Sequence, residues 1–198
     1  MINIEELKGW ANDLKPVFFD INVSLNNLRI LQHERSNKLR VNYFDTYLNL
    51  MYQQYFILII QLTKIYSTKN NTHKRNINKL FSKFQNEGLH NEVLNFHNNV
   101  ESFKNRDEIL AAIKEFKEKI DANAVSILTI VSLRDKVFAH TDPEDVDKAI
   151  DIEGYSTLVD LSNKIYNTLF GKILGDQFNP NIGNKYDLRI LFNLSEVH

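Results

Sequence analysis

The sequence predicts an all-α helical bundle, and three observations carry that prediction. Three prolines and six glycines in 198 residues leave few positions that break a helix. Apolar residues recur in steps of three and four over most of the chain, the stripe of helices that each bury one face. The most apolar run, Tyr55-Phe56-Ile57-Leu58-Ile59-Ile60, sits inside such a pattern between two glutamines and is far too short to span a bilayer. A chain of this length fits one domain with a sizeable core, expected over residues 1–174, with a C-terminal tail over 175–198.

Asn3-Ile4-Glu5-Glu6 has the form of a capping box and opens a first helix. Pro16 is expected to interrupt it, with a second helix over about residues 17–35. A long helix follows over about 41–66, whose Tyr47, Leu50, Met51, Gln54, Leu58, Ile59, Leu62 and Ile65 mark a broad inward face. The polar stretch 67–72 leads to two shorter helices, about 73–86 and 89–103, separated by Gly88 as a C-cap. The next helix should run over about 107–140, with a kink near Asp121-Ala122-Asn123, on a stripe of Ile109, Ile113, Phe116, Ile120, Ala124, Ile127 and Val131. A last bundle helix, about 156–174, points Leu158, Leu161, Ile165, Leu169 and Ile173 inward and stops at Gly175. In the tail, Tyr186, Leu188, Ile190, Phe192 and Leu194 alternate with Asp187, Arg189, Leu191 and Asn193. That period of two suggests a short strand or arm, and the same residues also read as helix.

The composition narrows the function. With no cysteine, disulfide staples and Cys-ligated zinc are excluded. The opening residues carry neither a basic nor an apolar leader segment, so a soluble, cytoplasmic protein without membrane partners is expected. His90 and His97 with Glu101 resemble a row of metal ligands, but no His-Glu-x-x-His pattern accompanies them, and no metal or cofactor is assigned. A formal net charge of −1 conceals an uneven distribution. From Thr46 to Asn86 no acidic residue occurs, while Lys64, Lys69, Lys74, Arg75, Lys79 and Lys83 are basic; from Asp135 to Asp160 acids dominate. Each patch is either a solvated face or a contact surface, and Lys74, Arg75, Lys79 and Lys83 are the candidates for touching RNA phosphate.

The segment richest in chemistry is Leu133-Arg134-Asp135-Lys136-Val137-Phe138-Ala139-His140-Thr141-Asp142. The stripe of the preceding helix next lands on Arg134 and then Phe138. A guanidinium on a core-facing stripe must be paired or must face a cleft, because an isolated buried charge is costly. Pro143 disfavours helix in the residue before it, which places His140 near a helix C-terminus, where free carbonyls favour the imidazolium. Arginine for phosphate and histidine for proton transfer at neutral pH suit RNA cleavage. The structural alternative is an interhelical ion pair at Arg134 and a capping role for His140.

Arg134-Asp135-Lys136-Val137-Phe138-Ala139-His140-Thr141-Asp142 resembles the signature of HEPN domains, an Arg, a polar residue, a short spacer and a His, in the wording of the AbiU-like branch tied to bacterial abortive infection. The resemblance extends backward over the preceding helices. It implies an all-helical homodimer whose signature helices meet at a cleft, and a metal-independent endoribonuclease acting as a toxin, with an antitoxin protein as a partner. Arg134 would then hold the scissile phosphate, His140 would transfer the proton, and Asp135 would orient one of them. Some members carry a modified Tyr two places after the His; here that place is Asp142. The alternative function is a non-catalytic HEPN-type module that binds a nucleotide or a partner in a defence or toxin–antitoxin complex. On a regular helix Arg134 and His140 lie about 9 Å apart along the axis and about 120° apart around it, so they diverge within one chain. A site shared by two chains is therefore expected.

Overall fold

Asn3 starts the first helix by accepting the Glu6 N–H on its side-chain oxygen at 2.8 Å, and α1 then runs without interruption over Ile4–Gln32. A computed structural model describes residues 1–33, 37–67, 75–87, 89–97, 101–139, 151–181 and 188. The expected interruption at Pro16 does not occur. Pro16 sits on the exposed face of α1, so the one backbone bond it forfeits lies toward water. On the opposite face Leu7, Trp10, Ala11, Leu14, Phe18, Ile21, Leu25, Leu28 and Leu31 form a single buried stripe that spans the proline. Burial of that many apolar side chains, at about 1.5–3 kcal/mol each, outweighs the roughly 3 kcal/mol a mid-helix proline costs.

The helix expected over 41–66 is divided in two. After α2 (Asn37–Asn42), Tyr43 leaves helical geometry at φ −141°, ψ 54°, and α3 covers Phe44–Tyr66. α3 packs along α1, burying Met51, Tyr55, Leu58, Ile59, Leu62, Ile65 and Tyr66. α4 (Ile77–Glu87) is strongly amphipathic, with Ile77, Leu80, Phe81 and Phe84 inward. The helix expected over 89–103 shrinks to α5, Asn91–Asn95. Residues 89–90 are instead extended, because Leu89 pairs with Ile2 as an isolated parallel bridge and the His90 N–H bonds the Ile2 carbonyl at 3.1 Å. His90 and His97 therefore do not share a helix.

The expected kink near Asn123 is a break between α6 (Arg106–Ala122) and α7 (Ala124–Ala139). α8 (Ile152–Tyr166) begins on Asp151, whose side chain caps the Gly154 N–H at 2.8 Å. It starts four residues earlier than the apolar pattern indicated, since that cap and Tyr155 belong to it. α8 meets α3 at two places: the Tyr55 and Tyr155 rings lie 5.8 Å apart, and the Tyr66 hydroxyl reaches the Leu158 carbonyl and the Ser162 hydroxyl, both at 2.8 Å. Burial pushes the Tyr66 hydroxyl well above the ordinary tyrosine range. After α8 the chain widens into a π-helical turn, Asn167–Gly171, closes with α9 (Lys172–Leu174), and stops at Gly175 in the left-handed region, φ 71°.

The core lies between α1, α3 and α8. Two amide pairs fix their register within it. Asn22 and Asn163 exchange hydrogen bonds at 2.9 Å in both directions, and Asn27 donates to Gln54 while accepting the Leu188 N–H at 3.1 Å. Phe178 and Leu188 join the same apolar core, so these two residues beyond Leu174 rest on the bundle. The expected strand or arm over 186–194 falls outside the described residues except for Leu188, which is helical.

Candidate active site

The described part of the signature segment, residues 133–139, ends α7, which follows directly on α6. Asn105 caps α6 by accepting the Glu108 N–H at 3.0 Å, with Asp107 and Glu108 favourably placed in the first turn. α6 is fixed to α4 by the stacked Phe81 and Phe116 rings, by Arg106 donating to the Gln85 carbonyl at 2.9 Å, and by Lys117 reaching the Gln85 side chain at 2.8 Å. Near its end Glu115 and Lys119 form an exposed ion pair, which holds the carboxyl below and the ammonium above their ordinary ranges. Asn123 then ends α6, adopting φ −103°, ψ 15° and donating from its side chain to the Lys119 carbonyl at 2.8 Å.

Beyond the break the buried seam is not the one the spacing predicts. α7 packs along α3 through Ile130 and Leu133, which are 2% and 5% exposed, while Val131 is only half-buried and Ala124 is exposed. The seam has moved by one residue, about 100° around the helix. Sequence alone could not fix it, because Val125, Ile127, Leu128, Ile130, Val131 and Leu133 make α7 apolar on nearly every side. Val125 and Leu128 consequently stand out from the fold, 80% and 65% exposed.

Arg134 therefore lies at the edge of the buried seam rather than within it. Its Nε and Nη2 both donate to one oxygen of Asp135, at 2.9 and 2.6 Å. The Arg134 side chain is about four-fifths covered and that of Asp135 more than half exposed. Asp135 thus holds the guanidinium by one edge. His140 and Asp142 lie outside the described residues, as does the Phe138 side chain.

The four basic residues considered for RNA contact are dispersed in their roles. Lys74 lies outside the described residues. Arg75 pairs with Asp13 at 2.6 Å and lies over the Trp10 ring, 5.5 Å from its centroid. Gly9 makes room for it, since a Cβ there would come within 3.0 Å of the guanidinium. Lys83 is held between Glu6 at 2.5 Å and Glu87 at 2.9 Å; those two hydrogen-bonded carboxylates, Glu6 foremost, raise its pKa. Lys79 is half-buried on α4. Arg75 and Lys83 thus fasten α4 and its lead-in to α1. His97, once a candidate ligand, lies under Gly175, where a Cβ would come within 2.7 Å of the imidazole. Among the described residues no cluster of three His, Asp or Glu side chains is arranged to hold a metal, and no helix is long and apolar enough to cross a membrane.

A family model for AbiU2, of the HEPN domains, matches residues 4–182, which takes in the signature, the break at Asn123 and the turn after α8. The chain belongs to the HEPN AbiU2 family. It is thereby an abortive-infection-related HEPN domain, and the match reaches past Leu174 to include Phe178 at the edge of the core. No curated protein and no solved structure matches the chain.

Proposed function

We propose that this HEPN domain is a metal-independent endoribonuclease of the toxin or abortive-infection type, active as a homodimer and restrained by an antitoxin protein. Arg134 grips the scissile phosphate and stabilises its transition-state charge, His140 is the general acid or base at the 2′-hydroxyl or the leaving oxygen, and Asp135 orients Arg134. The observation that carries this reading is the arrangement at Arg134. A single Asp135 oxygen takes Nε and Nη2, which leaves Nη1 and the remaining Nη2 proton to a second anion and fixes the plane of the guanidinium before that anion arrives. The exposed Val125 and Leu128 support the dimer, because a helix that is apolar on all sides is ordinarily covered on all sides.

Expression of the wild-type chain should slow bacterial growth and the purified protein should cut RNA in EDTA. His140→Ala and Arg134→Lys should each lose most of that activity, the latter because an ammonium cannot replace a planar two-pronged donor. Mixed dimers of Arg134→Ala with His140→Ala chains should regain cleavage, since one composite site stays intact. A wild-type protein that binds RNA without cutting it would instead mark a non-catalytic binding module.

A further inference from the structure

Where α2 meets α3 the chain makes an elbow that is held firmly and yet left bare. The Tyr43 backbone leaves helical geometry, but its N–H bonds the Leu39 carbonyl at 2.8 Å and its carbonyl accepts the Tyr47 N–H at 2.9 Å, so neither helix frays at the corner. Leu39 anchors one arm against the core, and Tyr47, Leu50 and Met51 anchor the other. Between these anchors every residue from Arg40 to Thr46 is exposed. Tyr43 and Phe44 are 64% and 55% exposed, with Val41 and Leu48 also exposed beside them. So many large apolar side chains left in water within a few turns of chain mark a contact surface.

Charge decides what that surface suits. From Arg35 to Phe44 the sequence holds three cations and no carboxylate. Arg40 is exposed, and among the described residues no ion pair engages it. Asp45, the next carboxylate along the chain, lies in the first turn of α3, where it favours the helix N-terminus, about 100° around the axis from Phe44. Among the described residues neither the Tyr43 nor the Phe44 ring stacks on another aromatic, so their faces are open. The elbow also lies on the signature's side of the molecule. Lys164, two residues beyond the Ser162 that Tyr66 reaches, neighbours the Glu115–Lys119 pair, so α6 ends near the C-terminal end of α3. α7 starts there and packs along α3, and its 16 residues, about 24 Å of helix, carry Arg134 toward the half of α3 that bears the elbow.

Resting on the ribonuclease reading, we propose that this elbow is a platform for single-stranded RNA, on which Tyr43 and Phe44 stack unpaired bases while Arg40 takes a backbone phosphate. Open aromatic faces beside an unpaired guanidinium are the parts that hold a single strand without reading its sequence. A paired strand does not fit them, because in a duplex each base already lies between its neighbours. The strand so held is led toward Arg134, and the chain is thereby directed to unpaired stretches of its substrate. A second copy of this chain suits the elbow less well, since a twofold contact there would set Arg40 and its basic flank against themselves.

The test measures binding of a fluorescent 2′-O-methyl oligouridylate to the full chain by anisotropy. This strand lacks the free hydroxyl that cleavage uses, so binding is read independently of any cutting. Tyr43→Ala and Phe44→Ala should each weaken it about tenfold, whereas Tyr43→Phe, which keeps the ring face, should bind as the wild type does. Arg40→Ala should lower the slope of log affinity against log salt by about 0.7, the share of one phosphate on a single strand. A blunt 2′-O-methyl duplex should bind far more weakly than the strand. Melting temperatures should stay unchanged, since all three side chains are exposed. No binding of the strand, wild-type affinity in both alanine variants, or a duplex bound as tightly as the strand would overturn the proposal. So would a dimer that Phe44→Ala splits in sedimentation with RNA binding unchanged, which would make the elbow a contact between chains. A chain that never cuts RNA yet shows the tenfold losses would refute the ribonuclease reading and leave the elbow standing; one that cuts RNA and ignores the substitutions would do the reverse.

Discussion

Pro16 and Asn123 each stand midway along an apolar stripe, and the helix survives the first and ends at the second. Proline is much the stronger breaker in isolation, so intrinsic preference does not explain the difference. The surroundings do. On either side of Pro16, Leu14 and Phe18 are almost wholly buried, and Phe18 lies 5.0 Å from the Tyr166 ring and 6.2 Å from that of Phe178. Bending α1 there would pull that stripe out of the core. Beside Asn123, Asp121, Ala122, Ala124 and Val125 are all exposed. Nothing holds the backbone straight, and a side chain able to bond the Lys119 carbonyl is enough to end the turn.

The largest effect should come from removing what keeps α1 continuous. Phe18→Ala is expected to cost about 3–5 kcal/mol, the range for a buried phenylalanine, seen as a fall of many degrees in melting temperature. Leu128→Ala, an equally apolar side chain on the exposed face of α7, should change stability by no more than about 0.5 kcal/mol in a monomer. Measuring both over a range of protein concentrations sharpens the contrast. If Leu128→Ala is costly only at high concentration, that face is covered by a second chain, whereas a large loss at every concentration would place Leu128 in the protomer's own core.

A smaller effect of opposite sign is expected at the proline itself. Pro16→Ala should stabilise the fold by about 1–3 kcal/mol, because it supplies a backbone bond and removes a ring from the middle of an exposed helical face. Chemical denaturation read by circular dichroism measures this directly. A destabilised variant would mean that the ring's contact with its neighbours is worth more than the bond it forfeits.

Much of this was legible in the chain. The Asn3 capping box, the stop at Gly175, the inward face of α3 and the weak point near Asn123 follow from local rules, because the residues that decide them lie within a turn of one another. The continuity of α1 did not, since it depends on α3, α8 and Phe178, which are distant in sequence. The extended geometry at Leu89 and His90 was hidden for the same reason, being imposed by Ile2. At the candidate site, the ion partner of Arg134 is the adjacent Asp135 and not the residue of another helix that the structural alternative called for. The orientation of α7 was ambiguous, because a helix with apolar residues all round carries no periodic signal to choose a seam. The pairing of Arg75 and Lys83 with carboxylates of α1 was likewise invisible in a count of charges.

The smallest expected effect is also the one that connects the break to the proposed chemistry. Asn123→Ala removes the side chain that bonds the Lys119 carbonyl and substitutes the best helix former. The loss and the gain nearly cancel, so stability should change by no more than about 0.5 kcal/mol, while the helical signal at 222 nm rises slightly as residue 123 joins α6 to α7. A continuous helix would return the stripe to the spacing of Ile120, Ala124, Ile127, Val131 and Arg134, rotating Arg134 toward the core by up to about 100°. RNA cleavage should then fall several-fold with the fold intact. An Asn123→Ala variant with more helix and full cleavage would show that the seam at Ile130 and Leu133 is held by α3 alone, and that the break has no part in placing Arg134.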